Sequence, residues 1–493
     1  MAFPGEDNPL WNKTAKQQTE RMADMKRKKA SPPKNRTAPL ARDCMDIAVR
    51  LLQVALAQKK PADRVLRTLL RERGDLRPNQ RRLIARTVFS LFRWWGWLAE
   101  LAPESFRNEL TALSDSGGSQ EKKSRSGHPA LQRWSALLLA AQYMEWDSPP
   151  PTARVFAQHA LADPEKLDRI WKPGPPAAPK KRMARISSLL PDRPPSAEKW
   201  RTTDLIPAWA RSRIASPRPL SELIRWLQSP PPLWLRLQIR SEKPLFRELR
   251  EAGLDIERRV SLQGTTAVAV SGEKSVYTLD AHQQGRIEVQ DLASQCVGAA
   301  CAPAEGERWW DACAGGGGKT LLLADRMRGR GQVVASDVRE YKLGDLRRRA
   351  RRVKLHNIAP RPWDGSSVDK RRRNFDGVLV DVPCSGSGTW RRNPDARWSA
   401  DPQEVDRLRE LQLSILRRAA GAVGPCGVLV YATCSMFREE NEDVVDAFLE
   451  EENNFSLEPF QDPLSDERTR GTLQIWPWTA DSDAMFVARL RRK

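Results

Sequence analysis

RWWDACAGGGGKT, Arg308–Thr320, is the stretch whose reading decides the fold. Its opening run, RWWDA, is short and apolar and reads as a buried strand. The strand breaks into four consecutive glycines, Gly315, Gly316, Gly317 and Gly318, which let the backbone turn tightly and approach a ligand without side-chain obstruction. After Lys319 and Thr320 a helical pattern follows, its amino terminus aimed at whatever lies over the loop. VVASD then ends a second strand at Asp337, about twenty residues on, the spacing at which a carboxylate accepts hydrogen bonds from a ribose diol. FDGVLVD, ending at Asp381, and GVLVYAT, ending at Thr433, repeat the grammar of a short apolar run followed by a helix. That alternation implies an α/β domain with a parallel, Rossmann-like sheet covered on both faces, and ligands beyond the carboxyl ends of its strands. A rival reading comes from GGGGKT, which nearly matches the phosphate-binding loop of NTPases. That loop needs glycine five positions before the GK pair, and here the place is held by Cys313.

Two cysteines fall just past strand ends. FDGVLVD runs into VPCSGSGTWRRNPDARW, which carries Cys384, and GVLVYAT runs into Cys434 and SMFREENEDV. Both are set in polar, turn-rich sequence on the ligand side of the sheet. Cys44, Cys296, Cys301 and Cys426 read instead as small buried hydrophobes. Two thiols suit chemistry at carbon 5 of a pyrimidine. A thiolate adding to carbon 6 makes carbon 5 nucleophilic, a second group helps shed the carbon 5 proton, and Asp381 is placed to stabilise charge developing on the ring.

These residues resemble the RNA 5-methylcytosine methyltransferases of the bacterial ribosomal-RNA and eukaryotic nucleolar-protein type, over about Pro207 to Lys493. GRIEVQDLASQ, Gly285 to Gln295, looks like the motif that opens the family's catalytic domain. DACAGGGGKT resembles its cofactor loop, though the family usually has alanine and proline at Gly315 and Gly316. DVPCSGSGTWRRNPDARW is similar to the motif that has alanine where this chain has Val382, and YATCSMFREENEDVV matches the nucleophile motif closely. The resemblance implies S-adenosylmethionine as cofactor and Cys434 as nucleophile. It implies that Cys384 aids product release and that Asp381 binds the base and touches the cofactor. Cys313, Ala314, Gly315, Gly316, Gly317, Gly318, Lys319 and Asp337 would hold the cofactor, Asp364 in RPWDGSS would lie near its adenine, and Lys319 would contact Asp381 or the substrate.

Outward from the catalytic stretch, residues 285–493 form the methyltransferase domain and 204–284 a small α+β unit, similar to the family's RNA-recognition-like subdomain. WLRLQIR (Trp234 to Arg240) and TTAVAVSG (Thr265 to Gly272) read as its strands, with a helix at Glu242 to Gly253. Residues 172–203 are a proline-rich linker. Residues 41–171 are all-α by periodicity, with helices opening near Ala41, Pro61 and Asn79. Through RRLIARTVFSLFRWWGWL this region resembles the antitermination-factor (NusB-like) RNA-binding domain at the front of the bacterial small-subunit ribosomal-RNA enzyme. Residues 1–40 read as a basic, disordered arm.

Composition agrees with an RNA partner. Lysine and arginine number 83 against 62 acidic residues, a formal charge of +21, which suits a polyanion. Arg391 and Arg392, after the Cys384 motif, are the leading candidate phosphate contacts; RRRARR (Arg347 to Arg352) and KRRR (Lys370 to Arg373) follow. Seven cysteines at irregular spacing and four scattered histidines suggest neither a disulfide framework nor a metal site. No apolar run is long enough to span a bilayer, and the opening MAFPGEDNPLWNKTAKQ lacks a secretory pattern. A cytoplasmic, monomeric RNA cytosine methyltransferase acting on small-subunit ribosomal RNA is the expectation, with transfer RNA or large-subunit RNA as alternative substrates and an inactive RNA-binding scaffold as the alternative class.

Overall fold

The computed structural model describes residues 37–106, 108, 128–160, 167–168, 170–171, 178–190, 200–239, 241–366, 374–465 and 467–493. The arm up to residue 36, parts of the proline-rich stretch and the Lys370–Arg373 cluster lie outside them.

Helices lead the chain: α1 (Thr37–Leu52), α2 (Ala62–Glu72), α3 (Pro78–Leu98), α4 (His128–Glu145) and α5 (Ala153–His159). In α1, Cys44, Ile47, Ala48, Leu51 and Leu52 are buried at helical spacing. This helix begins at Thr37 rather than at Ala41. In α3, Pro78 takes the first turn and Gln80 Oε1 accepts the Arg77 N–H at 2.8 Å, a local start signal. The stretch expected to be a linker contains a packed helix, α6 (Pro179–Ser187), which buries Met183 and Ile186. Next in the chain comes α7 (Leu220–Leu227).

The small unit comprises β1 (Leu233–Leu237), α8 (Glu242–Glu251), β2 (Leu254–Leu262), β3 (Thr265–Gly272) and β4 (Ile287–Val289). Its strands form an antiparallel sheet in the order β2-β3-β1-β4. Leu235, Val268 and Val270 pack with Leu245 and Leu249 of α8 in its own core.

The large unit alternates α9 (Leu292–Cys301), β5 (Arg308–Asp311), α10 (Gly318–Arg326), β6 (Gln332–Ala335), α11 (Glu340–Arg352), β7 (Ile358–Pro360), β8 (Phe375–Asp381), α12 (Pro402–Ala420), β9 (Val423–Thr433), α13 (Glu442–Glu451), β10 (Phe455–Leu457), β11 (Thr472–Ile475) and β12 (Met485–Arg492). The sheet runs β10-β12-β9-β8-β5-β6-β7, with β11 also on β12. Strands β5 to β9 are parallel, and β12 is antiparallel to β9. Period-two alternation sorts their side chains. Leu379, Val428, Val430 and Ala432 pack on the α9 and α10 side, while Val378, Val380, Leu429 and Tyr431 pack on α12 and α13. The chain leaves β5 toward β6 and returns through β8 on the other side of β5. A crevice therefore opens between the carboxyl ends of β5 and β8, where strand order reverses. Among the described residues no helix is long and apolar enough to cross a membrane.

Candidate active site at the strand-order reversal

Four strand ends deliver the candidate side chains to this crevice. β5 ends in Asp311 and leads through the glycine loop to Lys319; β6 is followed by Asp337; β8 ends in Asp381 and leads to Cys384; β9 leads to Cys434. Lys319 Nζ lies 2.8 Å from Asp381 Oδ2, with the lysine side chain only 10% exposed. Burial alone would lower the Lys319 ammonium, but the Asp381 carboxylate outweighs it and Cys434 adds to the effect, so its pKa is raised. The ammonium is committed to this pair, which is not the free phosphate ligand that an NTPase needs.

Cys384 Sγ and Cys434 Sγ stand 3.3 Å apart. Their hydrogen bond, with burial behind it, pushes the Cys384 thiol well above the usual range, so Cys384 keeps its proton at neutral pH. The two cysteine loops are laced together: Gly388 N donates to the Cys434 carbonyl at 2.9 Å, and Met436 N to Ser387 Oγ at 2.8 Å.

At the glycine loop, Gly315 and Gly317 adopt φ of 52° and 84°, left-handed values that favour glycine. Gly315 N donates to Asp337 Oδ2 at 2.9 Å. Burial would raise Asp337, but the Arg339 guanidinium, at 2.9 and 3.1 Å, and two backbone N–H groups overcome it and hold this carboxyl below the ordinary range. Cys313 is driven upward by burial and by neighbouring carboxylates, and is a neutral thiol beneath the loop. Asp364 follows β7 and is exposed; its carboxylate accepts the Ser366 N–H at 2.8 Å, and among the described residues no hydrogen bond joins it to the rest of the set.

The expectation that Arg391 faces phosphates is corrected by its burial and its partners. Arg391 is 1% exposed; it donates to the Ser229 and Ser482 carbonyls at 3.0 Å each and pairs with Asp481 at 2.7 Å. Arg392 pairs with Asp291 at 2.7 Å and Asp483 at 3.1 Å. Both guanidiniums pair with carboxylates, Arg391 in the interior and Arg392 from an exposed position. Cys426 is likewise exposed rather than buried.

Glu440 went unread in the sequence although it lies inside the nucleophile motif. Fully buried, it accepts Ser385 N at 2.8 Å, Ser385 Oγ and Ser435 Oγ at 2.5 Å each, and Gln412 Nε2 at 2.9 Å. It thereby ties the residue after Cys384 to the residue after Cys434. Asp311 was also missed: it is buried, with Thr320 Oγ1 2.6 Å from Oδ2 and, among the described residues, no hydrogen-bond partner on Oδ1. The signal available was its place at the end of β5, where a parallel sheet puts ligand-side groups.

Residues 299–491 match the family model described as 16S rRNA methyltransferase RsmB/F. A probable ribosomal RNA small subunit methyltransferase B of Bacillus subtilis is 37% identical over 218 residues, 43% of this chain and 49% of the relative, so the chain spans about half of that protein's length. The ribosomal RNA small subunit methyltransferase B of Photorhabdus laumondii is 31% identical over 297 residues, 59% of this chain and 67% of the relative. The solved structure of PH0851 shares the fold at a TM-score of 0.69 and 23% identity, covering 94% of this chain and 100% of that one. By the match of its catalytic region and the span shared with the Photorhabdus relative, this chain belongs to the 16S rRNA methyltransferase RsmB/F family.

Proposed function

We propose that this chain methylates carbon 5 of a cytosine in RNA, most directly small-subunit ribosomal RNA, with S-adenosylmethionine as donor and Cys434 as covalent nucleophile. The observation that carries the proposal is the 3.3 Å approach of the Cys384 and Cys434 sulfurs beside the Lys319–Asp381 pair. Family membership and the relatives' names support RNA as the substrate class.

The crevice suits the donor. A Cβ placed on Gly315 would meet nothing within 4 Å, so the loop faces open space. Asp337, ionised beside Arg339, would accept a ribose diol in exchange for the half-exposed Arg339 guanidinium, and Asp381 offers an acceptor for an ammonium. Cys313 to Lys319, Asp337, Asp381 and, farther out, Asp364 would hold it. When bound there, S-adenosylmethionine supplies an electrophilic methyl group.

The chain's own residues do the rest. Cys434, as its thiolate, bonds to carbon 6 of the base, which places electron density on carbon 5. Asp381, steadied by Lys319, accepts a hydrogen bond from the ring's amine as charge develops. Once carbon 5 is substituted, its proton leaves, the ring double bond re-forms and the carbon 6–sulfur bond breaks. Cys384 is placed to give its proton to the departing sulfur and to take the one shed by carbon 5.

Cys434→Ser should abolish methylation while retaining cofactor affinity. Cys384→Ala should accumulate a protein–RNA adduct, seen as a slow band on a denaturing gel. Normal turnover by Cys384→Ala with no adduct would overturn the two-thiol mechanism. Bisulfite sequencing of ribosomal and transfer RNA, from cells with and without the gene, tests the substrate; a mark lost only from transfer RNA would overturn the ribosomal assignment.

A further inference from the structure

Gly315 to Gly318 is a run with no side chains to hold it in place. Glycines lose more backbone freedom on ordering than any other residue, so a loop that must present one shape to a ligand needs support from outside. That support comes from one face of α11. Leu346 fills the space that a Cβ on Gly317 would need, its Cγ lying 2.7 Å from that position. One turn farther along, Arg349 Nη1 donates to the Gly316 carbonyl at 2.6 Å. Residues three apart share a helix face, so both contacts bear on the same side of the loop.

Arg349 is itself anchored outside the large unit. Its Nη2 donates to Glu288 Oε2 at 2.9 Å, and Glu288 belongs to β4 of the small sheet. That carboxylate is 2% exposed, and its other oxygen accepts from Arg352, one turn on in α11. The guanidinium thus spans two acceptors on two units, a carbonyl of the glycine loop and a buried carboxylate of the small sheet. A planar fork can serve both at once, whereas a lysine ammonium is a single point charge.

We propose that Arg349, held by Glu288, is a positioning residue that sets the glycine loop for cofactor binding, so that the small sheet braces the cofactor site. The proposal rests on reading that loop as the S-adenosylmethionine site. The contacts of Arg349 are the Gly316 carbonyl and Glu288, and it acts through the former.

The test uses the full chain and S-adenosylhomocysteine as the titrated probe, with steady-state kinetics alongside. Arg349→Ala should weaken binding about tenfold, the scale of one charge-assisted hydrogen bond. KM for S-adenosylmethionine should rise in step while kcat at saturating donor stays within about twofold. Arg349→Lys, a milder change, should fall between the two. The φ of Gly316 lies outside the left-handed region, and a Cβ there first meets Arg349 Nη1 at 3.5 Å, so alanine fits. Adding Gly316→Ala to Arg349→Ala should recover part of the lost affinity by narrowing the loop's freedom. Wild-type affinity in Arg349→Ala, or a fall in kcat at unchanged KM, would overturn the inference. Absence of any recovery in the double variant would count against it equally. A wild-type chain that does not bind the probe would overturn the cofactor reading itself, a distinct result.

Discussion

Asp311 has one carboxylate oxygen bonded to Thr320 and, among the described residues, no hydrogen-bond partner on the other, inside a site where Asp381 adds a second negative charge. Burial, the largest influence, pushes it up to about 7, against the Thr320 hydrogen bond. The consequence for stability has a definite sign. Below its ordinary value of 3.8 the group is neutral in both folded and unfolded chains. Between there and about 7 the unfolded chain gives up the proton while the fold retains it, so stability declines as pH rises through that window and is level above it. Asp311→Asn keeps an acceptor for Thr320 and removes the titration. Denaturant unfolding at pH values of about 4 and about 7 should show the variant gaining on the wild type by a few kcal/mol toward neutrality. Parallel profiles would refute the assignment. Sequence showed the groups whose chemistry is intrinsic and whose place follows from strand order: Cys384, Cys434, Asp337 and Asp381. It did not show Glu440 or Arg349, whose roles exist only through partners brought close by folding. Arg391 was misread for the converse reason, since a charge looks exposed until its burial and its carboxylate are found.

Between β5 and β8 the close fit of one large and one absent side chain holds the crevice in register. Trp309 pairs with Gly377 across these parallel strands, and a Cβ on Gly377 would fall 2.3 Å from the indole ring. The indole is 1% exposed and its Nε1 donates to Glu307 at 2.8 Å, so it has little room to turn aside. Gly377→Ala should therefore cost about 1–3 kcal/mol by overpacking and disturb the two strands that end in Asp311 and Asp381. Thermal unfolding checks this; an unchanged melting temperature would sink it. The same strands were legible because each is an apolar run that leads straight into a loop of distinctive residues, the glycine run after β5 and the Cys384 segment after β8. β2 was not, because Glu257, Arg258 and Arg259 project from the sheet's edge and mask its alternation. β7, β10 and β11 are as short as β5 but lead into no such motif, so nothing marks them out. α6 lay hidden in proline-rich sequence with only two apolar side chains turned to the core, Met183 and Ile186.

The chain's +21 charge was plain from composition, but its distribution between surface and interior was not. Much of the arginine-rich tail of the Cys384 motif faces inward and joins the leading helices to the catalytic unit. Asp395 Oδ2 accepts the Ala62 N–H at the start of α2 at 2.9 Å, and Trp398 Nε1 donates to the Phe92 carbonyl of α3 at 2.6 Å. Arg397, fully buried, donates to the carbonyls of Leu205 at 3.1 Å, Leu227 at 2.7 Å and Trp390 at 3.0 Å. Burial, with Arg93 adding, pushes Arg397 down to about 9, so it still carries its charge at neutral pH. With the Arg93 carbonyl of α3 at 3.4 Å as well, one cation satisfies backbone oxygens from four separate segments, one of them within the loop that begins at Cys384. Arg397→Ala would leave those oxygens buried and unpaired, a loss of about 3 kcal/mol or more. The loss falls on the junction, so calorimetry should resolve the helical front unfolding ahead of the α/β unit. RNA turnover should fall with it, because Trp390 packs against Phe437 of the nucleophile loop, ring centroids 5.9 Å apart. A single transition at the wild-type temperature would show instead that the junction is held by its apolar contacts alone, with Arg397 a passive occupant.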